Sequence, residues 1–303
     1  MDIGGLIGVI GGLIALVAIG VALRVTGLLS AEDARPLNTV LMYVALPALI
    51  FSSVYRADID ARFAMLPAIA WVVAFIGLAI GWALARLLKL EGPTAGAFIM
   101  ACVFGNTGYM GYPVASALMG DAGLVRAIFS DVFGNTAAVI SVGSLVAARY
   151  GARQVKVNPL REIVTFPPFL ALAAALLLKP VALPDLVTSW LDAIGNVVIP
   201  VIMISVGLSL KPRALKGHLG AASVVALVKL VVLPLLALGL GALLLQDPDS
   251  HRVAVIEAGV PTMMLLVIMG QRYELDSDFI ASAILMTMLG AIVTIPVMQL
   301  LLG

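Results

Sequence analysis

Apolar residues in this chain come in long runs, and short charged links separate them. The runs fall at 4–23, 36–54, 64–87, 93–118, 123–148, 162–179, 189–210, 218–245, 252–271 and 279–301. Each is close to the ~20 residues a helix needs to cross the hydrocarbon core of a bilayer. Spanning strands require strict alternation, which the runs lack, and an open sheet edge does not survive in lipid. The pattern therefore predicts an all-α membrane protein of ten transmembrane helices. The first run lacks a basic segment ahead of it, so it reads as a retained span rather than a cleaved leader.

The links set an orientation. One side of the membrane receives Arg24, Arg35, Arg86, Lys89, Arg149, Arg153, Lys156, Arg161, Lys211, Arg213, Lys216 and Arg272; the other receives Arg56, Arg62, Arg126, Lys179 and Arg252. Positive residues concentrate on the cytoplasmic side, which places both termini outside, across a bacterial inner membrane. The longest polar link, 149–161, is then cytoplasmic and divides the chain into a first five-helix unit, 1–148, and a second, 162–303.

The two units share short patterns at matching places. Pro47 precedes Ser52 in the second run, and Pro200 precedes Ser205 in the seventh at the same spacing; Gly111-Tyr-Pro113 in the fourth run corresponds to Gly259-Val-Pro261 in the ninth. Five spans per unit is an odd number, so the second unit enters from the opposite face. The expected architecture is a 5+5 inverted repeat, a pattern of secondary transporters.

Composition narrows the function further. Of 303 residues, 62% are hydrophobic and only 12% charged, against roughly 25% charged in soluble domains, and the mean hydropathy is +1.14. A net charge of +1 leaves no footprint for nucleic acid. Cys102 is the sole cysteine, which rules out an internal disulfide or a cysteine metal cluster; it reads as a small buried side chain. His218 and His251 lie near run ends, and neither a zinc-protease HExxH nor a GxSxG nucleophile elbow occurs. An enzyme is not expected, and neither is a bound cofactor.

Candidate chemistry concentrates where helices should break. Between Phe104 and Pro113 stand three glycines and a proline. Glycine costs a helix interior about 1 kcal/mol and proline about 3. Non-helical backbone at membrane depth persists only where protein buries it or where it lines a cavity. Freed carbonyls and opposing helix ends there hold ions, and Asn106 adds a neutral donor and acceptor; a packing kink is the plainer alternative. Glu257 leads directly into the corresponding break at Gly259 and Pro261. An ionisable group inside a span is costly and needs a partner; here it is a candidate sodium ligand or proton carrier, or else an interfacial residue facing water. Lys229 lies deep in the eighth run, suited to neutralising a carboxylate or attracting an anion. Asp131 and Asn135 are four apart and share a helix face; Asp131 is a candidate partner for Lys229 or a proton carrier. Asn38 and Asn196 read as helix-end hydrogen bonders, Ser52 and Ser205 as side chains bonded back to their own helices. Gly4, Gly8 and Gly12 form a small-residue stripe for close helix packing or a dimer seam.

These motifs together resemble the auxin efflux carrier family. The resemblance rests on Leu37-Asn-Thr-Val with Leu46-Pro-Ala-Leu-Ile-Phe51, on Asn106-Thr-Gly-Tyr-Met-Gly-Tyr-Pro113, on Pro200 with Ser205-Val-Gly207, on Lys229 with Pro234, and on Gly259-Val-Pro261. It covers essentially the whole chain, with the Asn106–Pro113 motif the most specific part. It implies a ten-helix fold related to bile acid–sodium symporters. In that fold spans 1, 2, 6 and 7 are a scaffold, spans 3–5 and 8–10 are a moving transport domain, and broken spans 4 and 9 cross at the substrate. Plant members dimerise through the scaffold, so a homodimer is expected. Carried over by position, Asn106, Pro113 and Pro261 line that crossing; with Thr107, Gly108, Gly111, Asn135 and Gly259 they make up the candidate substrate set. Glu257, Asp131 and Lys229 form the coupling or ion-pair set. Glu257 resembles the sodium-ligating glutamate of the bile-acid relatives, so the coupling ion is Na+ or H+. The long central loop of plant carriers is reduced here to 149–161. The expected cargo is a small organic, carboxylate-type anion moved by an elevator mechanism; an uncoupled anion channel or facilitator is the alternative.

Overall fold

The computed structural model describes residues 3–153, 155, 158–210 and 217–302. Lys156, Lys211, Arg213 and Lys216, used above for orientation, lie outside the described residues. Every regular element among the described residues is helical. In chain order these are α1 (Ile3–Val25), α2 (Ala34–Arg56), α3 (Ala61–Leu87), α4 (Gly92–Val103), α5 (107–119), α6 (121–150), α7 (Pro159–Val164), α8 (Pro167–Leu178), α9 (Asp185–Ser209), α10 (Leu219–Leu244), α11 (Pro248–Gly259), α12 (Leu265–Tyr273) and α13 (Ser277–Leu301). Hydrogen bonding runs on from α5 into α6, but Gly120 turns the chain at φ 62°, a conformation that favours glycine. Six stretches are long and apolar enough to cross a membrane: α2, α3, 107–150, α9, α10 and α13. The chain is therefore an all-helical, multi-pass membrane protein.

Two of the expected spans, 93–118 and 252–271, are each a pair of shorter helices, interrupted where the glycines and prolines stand. α4 stops at Val103 and α5 starts at Thr107; α11 stops at Gly259 and α12 starts at Leu265. The breaker residues explain both. Pro261 biases the residue before it away from the helical region, and Val260 is extended (φ −69°, ψ 154°). Phe104 is likewise extended (φ −81°, ψ 114°) ahead of Gly105. The expected 162–179 span is also split, into α7 and α8, where Pro167 and Pro168 restart the helix.

The helices pack in two groups. α2 lies against α8 and α9, and α1 against α9. Gly20 and Gly207 let α1 and α9 touch backbone to backbone: a Cβ on either would come 3.0 Å from the other's Cα. The second group holds α3–α6 and α10–α13, with α11 against α10 and α13, and α3 against α4 and α6. The groups meet where the 107–130 stretch touches α1, α2 and α9, where α13 touches α1 and where α6 touches α8.

Several polar side chains tie loop and helix ends together. Lys179 donates to the carbonyls of Val54, Tyr55 and Ala57 at the end of α2, where a cation complements the helix dipole. Arg56 pairs with Asp192. Ser52 bonds back to Leu49 O, as expected, but Ser205 donates instead to Asn38 Oδ1 at 2.7 Å and links α9 to α2. Gly8 and Gly12 have no atom of the described residues within 4 Å of an added Cβ; the surroundings of Gly4 lie outside the described residues.

Candidate functional site at the two helix interruptions

The two interruptions lie against one another. Asn106 N–H donates to Pro261 O at 2.7 Å and Met263 N–H to Phe104 O at 2.9 Å, with Gly105 facing Thr262 in antiparallel fashion. This pairing answers the physical problem that both breaks pose, because unbonded backbone is costly away from water. Thr262 completes it: its hydroxyl donates to Ala101 O at 2.9 Å, and its N–H donates to Thr287 Oγ1 at 3.0 Å.

Widened, π-type turns place the neighbouring polar groups. They occur at 107–111, 131–135 and 228–232, and carry Thr107, Asp131 with Asn135, and Lys229. Such turns are frequent at functional sites because the extra residue re-aims side chains. Asn135 clamps the first interruption. Its Nδ2 donates to Gly105 O and Thr107 Oγ1, both at 2.9 Å, and its Oδ1 accepts from Gly105 N–H at 3.3 Å. Asp131 accepts three hydroxyls: Thr107 at 2.6 Å, Tyr112 at 2.7 Å and Thr136 at 2.7 Å.

Three groups stand apart from that network. Asn106 is 4% exposed and its Nδ2 has no partner. Glu257 is 5% exposed and neither carboxyl oxygen has a partner. Its carboxyl lies over Gly111, where an added Cβ would come 2.7 Å from Cδ and 2.8 Å from Oε2. Lys229, 1% exposed, donates to Ala258 O at 2.5 Å. Its ammonium also lies beside Gly105, 2.9 Å from where a Cβ would stand. Among the described residues Lys229 forms no ion pair within 4.0 Å with either Asp131 or Glu257. Thr107, Asn135, Lys229 and Glu257 line one cavity of about 30 Å³ together with Leu66, Ile69 and Val73 of α3.

The structure thus gathers Asn106, Thr107, Gly108, Gly111, Asn135, Asp131, Glu257 and Lys229 around the paired interruptions. Pro113 and Pro261 are buried beside them. Gly259 packs instead toward Met298, whose sulfur would be 2.9 Å from an added Cβ. Sequence reasoning used Gly105 only as a helix breaker and passed over Tyr112, Thr136, Thr262 and Thr287. Tyr112 stands inside the quoted motif and Thr262 directly follows Pro261, so position was a usable signal for these two. Nothing local marks Thr136 or Thr287 as partners.

A family model described as "Membrane transport protein" matches residues 12–299, nearly the whole chain. The chain belongs to this family of transporters. It is the auxin efflux carrier family that the motifs resemble, and its members are transporters rather than enzymes. Among relatives, an uncharacterized transporter of Methanothermobacter thermautotrophicus is 32% identical over 292 residues, covering 95% of this chain and 96% of its own. An uncharacterized transporter of Methanocaldococcus jannaschii is 31% identical over 281 residues, covering 90% and 91%. A protein of Rhizobium meliloti named "Putative malonate transporter" is 30% identical over 275 residues, covering 86% and 84%.

Proposed function

We propose that this family member is a secondary active transporter of a small organic anion of the carboxylate type, bound where the two interruptions pair. One observation carries the reading: two broken helices meet in the buried core, and beside their junction lie the unpartnered Asn106 Nδ2 and an unpartnered Glu257 carboxyl, the latter lining a cavity. Asn106 Nδ2 supplies a donor for a carboxylate. The starts of α5 and α12 add N–H groups without helix acceptors and the positive ends of two dipoles. The name of the Rhizobium relative fits a dicarboxylate cargo.

On this reading the two interrupted helices are the crossing helices of a 5+5 inverted repeat, with units at 1–148 and 162–303 joined by the 149–161 link. α1, α2, α8 and α9 are the scaffold, and the helices around the interruptions move as one transport body. The two packing groups described above support that division. The protein sits in a cell inner membrane with both termini outside, and pairs with a second copy through the scaffold. Coupling to Na+ or H+ runs through Glu257, with Asp131 and Lys229 beside it.

Solid-supported-membrane currents from proteoliposomes test the proposal. A panel of mono- and dicarboxylates is applied with a sodium gradient, a proton gradient and neither. The expected result is a saturable response to one anion that disappears in folded Asn106→Ala protein. Responses unchanged by Asn106→Ala, or currents far above carrier turnover, contradict it.

A further inference from the structure

Where α3 and α6 finish, the second helix group carries an apolar groove with a charged rim. Leu78, Ala79 and Trp82 of α3, Ile99 of α4, and Val146 and Tyr150 of α6 line an open space of about 280 Å³. Two glycines hold α4 close to both neighbours. An added Cβ on Gly81 would come 3.4 Å from Ile99 Cα, and one on Gly96 would come 2.5 Å from Tyr150 Cβ. Trp82 is 43% exposed, so the groove faces outward.

The groove continues along one face of α3. Val72, Phe75, Ala79 and Trp82 are exposed at helical spacing, and Arg86 closes the series one turn later. At ~1.5 Å per residue the stripe from Val72 to Trp82 is about 15 Å long, the depth of one leaflet of a ~30 Å hydrocarbon core. It ends at Trp82 and Tyr150, residue types that favour the membrane–water boundary.

The cations at that end are free to take a ligand. The Arg86 guanidinium lies over the Trp82 ring, 3.6 Å from its centre, and Arg149 lies 5.8 Å from the centre of the Tyr150 ring. A guanidinium held over a ring keeps its N–H donors for a bidentate oxyanion. Among the described residues Arg86, Lys89 and Arg149 form no ion pair within 4.0 Å. On the adjoining links Glu162 is taken by Arg272, and Asp276 by the Thr94 hydroxyl and the Phe279 N–H. Glu91 and Glu274 come within 4.0 Å of none of the three cations.

We propose that this groove binds an anionic diacyl phospholipid, with one acyl chain along the α3 stripe and the phosphate at the rim formed by Arg86 and Arg149. Charge selects a lipid over a second copy of the chain, because a symmetric contact through this face would bring two basic rims together. Basic pockets between transmembrane helices on the cytoplasmic side hold anionic headgroups; the inner leaflet is assigned here from the orientation proposed above. Ile99 belongs to α4, one half of the first interrupted helix, so the lipid braces that half against α3 and α6. The site does not depend on which solute the protein carries.

The test uses the purified full chain in detergent, with phosphatidylglycerol against phosphatidylcholine of the same acyl chains, read by native mass spectrometry and by melting. Phosphatidylglycerol should be retained in preference and should raise the melting temperature more. A cation near an anionic membrane surface is worth about fivefold, so Arg86→Gln and Arg149→Gln should each lower the preference roughly fivefold. Arg35→Gln, at an exposed arginine near the start of α2, should leave it unchanged. Ala79→Phe fills the groove with every charge in place and should lower phosphatidylglycerol retention; it serves where an arginine variant fails to fold. Equal retention of the two lipids, an equal loss from Arg35→Gln, or full retention by Ala79→Phe overturns the proposal. A melting shift from inorganic phosphate as large as that from phosphatidylglycerol makes this a soluble-anion site. A Trp82→Ala substitution that converts a dimer to a monomer makes it a contact between copies. Either result also overturns the proposal.

Discussion

Replacing Asp131 with alanine removes the acceptor shared by three buried hydroxyls, those of Thr107, Tyr112 and Thr136. In water-soluble cores each orphaned donor costs about 1–3 kcal/mol. Within membranes the unfolded reference also finds partners, and measured side-chain bonds average about 0.6 kcal/mol, with a maximum near 1.7. Three bonds at the membrane average give about 2 kcal/mol, and the burial of all four residues argues against a smaller value. Asp131→Asn keeps one acceptor oxygen, and its amide can donate to a rotated hydroxyl, so it should lose less than about 1 kcal/mol. Thr107→Val deletes two bonds, to Asp131 and from Asn135, without changing shape and should cost about 1.2 kcal/mol at the membrane average. Because Thr107 also accepts from Asn135, a cycle of Thr107→Val with Asp131→Ala should show coupling of at least 0.5 kcal/mol. Reversible unfolding in mixed detergent, followed by circular dichroism, measures the wild type and all four variants. An Asp131→Ala midpoint equal to wild type, or a larger loss in Asn than in Ala, refutes the view that Asp131 pins the first interruption through hydroxyls.

Other consequences follow from single contacts. Gly111→Ala drives a methyl into the Glu257 carboxyl; overpacking should cost about 1–3 kcal/mol and abolish transport, and an active, equally stable variant contradicts the placement of Glu257. Gly207→Val forces α1 away from α9, with a similar expected loss read as a lower melting temperature in detergent. Asp247 caps α11 and pairs with Arg126 at 2.8 Å. Although burial raises its pKa, hydrogen bonds from Ser250 and Arg126 and the Arg126 charge hold it below the ordinary 3.8. A depressed folded value means that its stabilisation is full above the unfolded pKa and is lost as pH falls through the folded one. Asp247→Ala should therefore cost about 0.5–2 kcal/mol at neutral pH and flatten the acid limb of a stability–pH profile; an unchanged acid limb speaks against the cap.

Much of this arrangement is legible in the sequence, for definite physical reasons. Long apolar runs admit only helices in lipid, and dense glycine and proline mark where a helix stops, so the interruptions at 104–106 and 260–264 follow from Gly105, Gly108, Gly111 and Pro261. Ionisable residues inside apolar runs are conspicuous, which is why Asp131, Lys229 and Glu257 stood out. Their partners did not. Whether Lys229 meets a carboxylate or a carbonyl depends on how α10 lies against α11, a tertiary fact with no local signature. Hydroxyls such as Thr136 and Thr287 are common in membrane helices, and only the packed geometry separates the network members from the rest. Asn135 shows the same limit: its spacing from Asp131 placed both on one face, yet its amide is committed to Gly105 and Thr107.

The most direct test of the central claim is counterflow in proteoliposomes preloaded with unlabelled malonate, which needs no driving gradient. The account predicts transient accumulation of labelled malonate, or of a close carboxylate, by the wild type. It predicts loss of at least tenfold in Asn106→Ala protein that melts at the wild-type temperature, about 1.4 kcal/mol of binding. Equal accumulation by both proteins would contradict a substrate site at the paired interruptions.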